Sequence, residues 1–81
     1  MEISSALLLA TLTVVNASGT PVVSQTSNVL ANSDQCPSAM RQVVEHNSLQ
    51  NNIFSTKRSE LKARKAGVTL VVTCEVLKDK Q

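Results

Sequence analysis

Three side chains in this sequence have the chemistry of a metal, thiolate or disulfide site: Cys36, His46 and Cys74. Two sulfurs and an imidazole could ligate zinc, but their spacing fits no metal signature and a fourth ligand is missing. A Cys-His nucleophile pair fares no better. His46 lies about three helical turns beyond Cys36, and a cysteine on an apolar helix face is inert. In an exported chain, two cysteines have one possible intramolecular pairing, the disulfide Cys36–Cys74. It would close a loop of about 40 residues, which the chain-entropy account values at on the order of 4 kcal/mol. That is comparable with the whole net stability of a small domain. The alternative is a pair of buried thiols in a cytosolic protein, acting as small hydrophobes. We expect no catalytic residue, no metal and no cofactor, and read the chain as a non-enzyme.

The second group with chemistry is basic. Lys57, Arg58, Lys62, Arg64 and Lys65 hold five of the eight basic residues and could contact phosphate or an acidic protein surface. Glu60, Leu61 and Ala63 interrupt the run, as they would on a plain solvated helix face. Phe54 is the chain's single aromatic residue, leaving almost nothing for bases to stack on. A net charge of +2 is small for a polyanionic partner. These five residues are therefore expected to bind another protein with an acidic surface, with no specific nucleic acid.

The elements that must position these groups follow from periodicity. Pro37 suits the first turn of a helix, where its missing N–H is not needed. Cys36, Met40, Val43 and Val44 then share one helical face, with Asp34 or Cys36 as cap. A break is expected over His46 to Asn52. A second helix is predicted from Ser55 or Thr56 to Ala66: a hydroxyl cap, Glu60 near the start, Arg64 and Lys65 in the last turn, and Gly67 as the left-handed stop. From Val68 to Val76 the alternation of Val68, Leu70, Val72, Cys74 and Val76 with Thr69, Val71, Thr73 and Glu75 marks a half-buried strand. The tail Lys78 to Gln81 is expected to fray. Val22-Val23 and Val29-Leu30 suit short strands, and Asn28, Asn32, Ser33 and Asp34 suit turns or caps.

The first 17 residues admit two readings. Ala6 to Val15 is uncharged and apolar and runs into Val15-Asn16-Ala17, the small-residue pattern of an export cleavage site. Against this, Glu2 stands where a basic residue is usual, and Arg41 is the first Lys or Arg. Alternatively, Ala6, Leu8, Ala10, Leu12 and Val14 form the buried face of a strand, with a turn over Asn16 to Gly19 and a returning arm from Thr20. The apolar run is about half of the roughly 20 residues that a membrane-crossing helix needs. Residues 18–81 then form one small domain, with a core built from aliphatic side chains and a disulfide as staple.

The segment Ala66-Gly67-Val68-Thr69-Leu70-Val71-Val72-Thr73-Cys74-Glu75-Val76 resembles the helix-to-strand passage of the Rcs envelope-stress sensor lipoproteins. There a small-residue stop leads into an apolar strand ending in Ser-Cys-Glu-Val. Asp34-Gln35-Cys36 lies at about the separation of that family's first bridging cysteine. The resemblance covers the C-terminal half and rests on Cys74-Glu75-Val76. It implies a periplasmic α/β domain that transmits envelope damage by binding proteins, with Cys36 and Cys74 bridged. The chain lacks that family's lipid-accepting cysteine after the apolar start and its second cysteine pair.

The expected fold is α+β: N-terminal strand or strands, two helices and a C-terminal strand, joined by one helix-to-strand disulfide. The expected function is that of a secreted or periplasmic protein–protein interaction module. Two alternatives stand beside it. One is a cytosolic binder of acidic partners or nucleic acid through a basic helix Lys57–Lys65; the other is a subunit of a larger assembly that donates its apolar N-terminal strand.

Overall fold

A computed structural model describes residues 4–77; the tail Lys78 to Gln81 and the acidic start at Glu2 lie outside the described residues. Five strands and one α-helix follow in the order β1 (Ala6–Val15), β2 (Pro21–Leu30), a 3-10 turn (Ser33–Gln35), α1 (Cys36–His46), β3 (Ile53–Lys57), β4 (Glu60–Lys65) and β5 (Val68–Val76). The strands form one antiparallel sheet in the order β2-β1-β5-β4-β3. α1 lies on one face, giving the two layers that a small amphipathic sheet and helix need to bury their apolar sides.

The helix forms where the 3.6-residue period is strongest. Cys36, Met40 and Val44 are buried, and Ala39 and Val43 pack against the same core. Neither Asp34 nor Cys36 caps the entry: α1 starts after Gln35 with no side-chain cap, and it is the preceding 3-10 turn that is capped, by Asn32, whose side chain accepts from the Asp34 N–H at 2.9 Å. The exit follows from Ser48, which adopts a left-handed φ of 59°. The Ser48 N–H then donates to the Glu45 carbonyl (2.9 Å) and the Leu49 N–H to the Val44 carbonyl (3.0 Å). This is the Schellman arrangement, and its usual hydrophobic partner is present in buried Leu49.

The sheet supplies the other half of the core. Ala6, Leu8 and Ala10 of β1 stand opposite Val76, Cys74 and Val72 of β5; Cys74 and Val72 are buried, whereas Val76, expected on the inward face, lies exposed at the end of the strand. Leu61 and Ala63 of β4 stand opposite Val72 and Leu70. Leu70, Val72 and Val44 are the largest fully buried side chains. Cys36 and Cys74 form a disulfide, with Cα atoms 5.9 Å apart, that ties the first turn of α1 to β5.

The two-helix α+β expectation is wrong. The fold is a five-stranded antiparallel sheet with one short helix, and the residues expected in a second helix, Ser55 to Ala66, instead supply most of the β3–β4 hairpin and, at Ala66, the start of the turn into β5. The residues Glu60 to Lys65 (ELKARK) are strong helix formers, but propensity is a weak force against tertiary pairing. As a helix this segment had few apolar positions; as a strand its Leu61 and Ala63 alternate onto the buried face. Gly67 is misread for a simple reason: a left-handed residue serves a hairpin as well as a helix stop. Ala66 (φ 43°) and Gly67 (φ 84°) form the two-residue turn between Lys65 and Val68, the positive-φ pair that matches the twist of a hairpin. Val22-Val23 and Val29-Leu30 likewise belong to one unbroken strand that includes Asn28.

β1 is bonded to β2 on one side and to β5 on the other. A cut after Ala17 would remove the strand that joins them.

Candidate partner-binding surface

Strand alternation sorts the remaining side chains onto two faces. The even-numbered positions of β1 face the helix. Its odd-numbered positions Leu7, Leu9, Thr11 and Thr13 face away, opposite Glu75, Thr73, Val71 and Thr69 of β5 and Val29, Ser27, Gln25 and Val23 of β2. The Gln25 Nε2 donates to the Thr11 Oγ1 at 3.3 Å across this face. Among the described residues no element covers it. Leu7, Leu9 and Val71 are half-buried by their neighbours and otherwise open to solvent.

The basic residues predicted to share one helix face are dealt out by the β3–β4 hairpin. Lys62 and Arg64 point to the open face, opposite Val71 and Thr69. Lys57 joins them through its pairing with Glu60. Arg58 sits in the turn, and Lys65 falls on the helix side at the exposed end of β4. Three of the five therefore share the open face with Leu7, Leu9 and Val71, Lys62 standing directly opposite Val71 and Lys57 reaching the row of Leu9 only across Glu60 and Thr73, and two do not. The Lys62 Nζ lies 3.9 Å from the Glu60 Oε1, a long, half-exposed pair on the sheet surface that holds little energy. The Arg64 guanidinium stacks 5.8 Å from the centroid of Phe54, within cation–π range. Phe54 itself is exposed and occupies the bulge between Ile53 and Ser55.

The sulfurs of Cys36 and Cys74 are bonded to one another, so neither presents a thiolate to His46 or to a metal. His46 instead borders a groove of about 510 Å³ between α1 and the β1–β2 hairpin. Leu8, Ala10 and Leu12 form its apolar floor, with Ser24 and Thr26 along one side.

No protein-family model, curated protein or solved structure matches the chain. A functional reading therefore stands on the faces of the sheet. The open face is masked in the sequence by the regular apolar alternation at the even positions of β1. Its signal was present: Leu7 and Leu9 make that strand apolar on both sides, the pattern of a strand covered twice.

Proposed function

We propose that the protein is a non-catalytic binding module, secreted or periplasmic, that docks a protein partner on the open face of its sheet. The observation that carries this reading is the uncovered patch of Leu7, Leu9 and Val71 bordered by Lys62, Arg64 and Lys57. Apolar area there supplies affinity, and the cationic border selects a partner with an acidic rim. The compartment is argued from the disulfide, which persists where the surroundings are oxidising. Among the described residues no helix is long and apolar enough to cross a membrane. An envelope-sensing role of the kind the Rcs resemblance implies is one form of this function.

Site-specific photo-cross-linking tests the proposal. A cross-linking residue at Thr11, on the open face, should trap a partner in the exported fraction; one at Ser38, on the exposed side of α1, should not. Combining the Thr11 probe with Lys62→Glu and Arg64→Glu should abolish the adduct while the melting temperature stays nearly constant, because both changes are at the surface. Adducts from Ser38 instead, an adduct indifferent to charge reversal, or none from Thr11 would each overturn it.

A further inference from the structure

The sheet ends in two edges, and only one is defended. We propose that β2 is the seam of a homodimer in which two copies pair edge to edge, antiparallel about a dyad at Thr26, into a continuous ten-stranded sheet.

Four observations carry this. First, β2 is ten residues long, PVVSQTSNVL, and has no charged side chain, so two copies can meet without like-charge repulsion. Long, regular, uncharged edges invite pairing and are normally blunted. Secondly, its pairing with β1 runs from Pro21 to Leu30 without a bulge, so its outer ladder is equally regular.

Thirdly, the direction of the free groups is fixed. The Asn16 N–H donates to the Thr20 carbonyl at 3.0 Å, and antiparallel hydrogen bonding alternates along a strand. Even-numbered residues of β2 thus bond to β1. The N–H and C=O groups of Val23, Gln25, Ser27 and Val29 point outward. The bond from the Val15 N–H to the Gly67 carbonyl agrees, since odd residues of β1 then serve β5.

Fourthly, the side chains are self-complementary in one register. A dyad perpendicular to the sheet keeps both helices on the same side and pairs residues of like parity. Centred on Thr26, it sets Val22 against Leu30 and Val23 against Val29 at each end, with Ser24 against Asn28 and Gln25 against Ser27 between. Val22, Val23 and Val29, exposed at 54%, 58% and 63%, all gain apolar partners. Pro21, which has no N–H to give, falls outside the register. Centring on Gln25 instead sets Val22 against Asn28 and Val23 against Ser27, and leaves Val29 facing Pro21 with one bond unmade. The Thr26 register leaves none of the outward groups from Val23 to Val29 unpaired.

The seam runs along the backbone edge of the sheet and not over Leu7, Leu9 and Val71, although Val23, Gln25, Ser27 and Val29 border the same face, and its test does not depend on the binding reading. Thr26 would face its own copy in a pair not hydrogen-bonded across the seam, where Cα atoms approach to roughly 4.5 Å. Under mild oxidation T26C should form a covalent dimer on a non-reducing gel. S24C should not, because the two Ser24 positions lie about four residues apart along the seam, on the order of 13 Å. Analytical ultracentrifugation of the unmodified protein should show concentration-dependent dimers. Q25P should weaken them about tenfold or more, the equivalent of roughly 1.4 kcal/mol, with an unchanged circular dichroism spectrum: its N–H faces the seam, so the β1 ladder is kept. A wild-type protein that stays monomeric, equal cross-linking of S24C and T26C, or dimers insensitive to Q25P would overturn the proposal.

Discussion

The edges of this sheet are built on opposite principles. β3 is five residues long, is interrupted by a bulge at Phe54 and ends on Lys57. Each of these features discourages another strand from docking. β2 is twice that length, unbulged and uncharged. The helix sharpens the contrast. At roughly 1.5 Å per residue α1 is about 16 Å long, against about 34 Å for a ten-residue strand. α1 packs on β5, β1 and β4, and every residue of β2 except Leu30 remains exposed. The lesson is that one chain can close a sheet at one side and leave it open at the other, so that strand length, charge and helix cover together mark the side meant for company.

The strongest way to break the comparison is to loosen the closed side. The disulfide fastens α1 to β5, and the closed loop constrains the unfolded chain. Replacing both Cys36 and Cys74 with Ser should lower unfolding free energy by about 4 kcal/mol, read as a shift in urea midpoint under oxidising conditions. Equal midpoints would remove the bridge from the list of what holds the closed side together.

A smaller effect is expected at the two turns. Gly67 has a φ of 84°, and a Cβ there would meet Val15 Cβ at an ordinary 3.9 Å. The cost of Gly67→Ala is therefore backbone strain, about 1–2 kcal/mol. In a domain of this size that corresponds to a fall in melting temperature of very roughly 4–16 °C. Gly19 in the β1–β2 loop has a similar φ of 83° and nothing within 4 Å. Its longer loop, Asn16 to Thr20, is held by the Asn16 side chain, whose Oδ1 accepts from the backbone N–H of Ser18 and of Thr20. Such a loop has room to relax, so Gly19→Ala should cost less. Thermal melts of the two variants side by side would show whether the tight β4–β5 turn is indeed the stiffer one; an equal or larger loss at Gly19 would reverse the assignment.

How much of this was legible in the sequence depended on whether a segment carried one signal or two. α1 and β5 each had a single clear period, and their inward faces named the cysteines that are joined. Residues 55–66 carried two. Their composition is that of a helix, while the i, i+2 spacing of Leu61 and Ala63 is that of a strand, and only pairing with Leu70 and Val72 decides between them. The basic cluster inherited that ambiguity. On a helix its five members would have formed a patch; on a hairpin they are divided by parity, so the open face keeps Lys57, Lys62 and Arg64 and loses Lys65. β2 was read as two fragments because Ser, Gln, Thr and Asn are poor strand markers. Those same residues make its centre self-complementary.

The smallest expected effect is the most discriminating for the comparison. Lys57→Thr removes the charge at the end of β3 and leaves the bulge between Ile53 and Ser55 untouched. Lys57 is exposed and its cross-strand neighbour is Glu60, so stability should change by no more than about 0.5 kcal/mol. A bulge bends the strand and leaves a residue unpaired, so an incoming strand still finds no continuous ladder at this edge, and the association measured by ultracentrifugation should match wild type. Ser27→Lys is the counterpart on β2. It adds a similar charge at an exposed position, yet should suppress self-association, because Ser27 lies in the seam opposite Gln25 and two copies carry the charge into one interface. New association in Lys57→Thr would show that charge alone guards β3. An unaffected Ser27→Lys would show that the seam is not at β2.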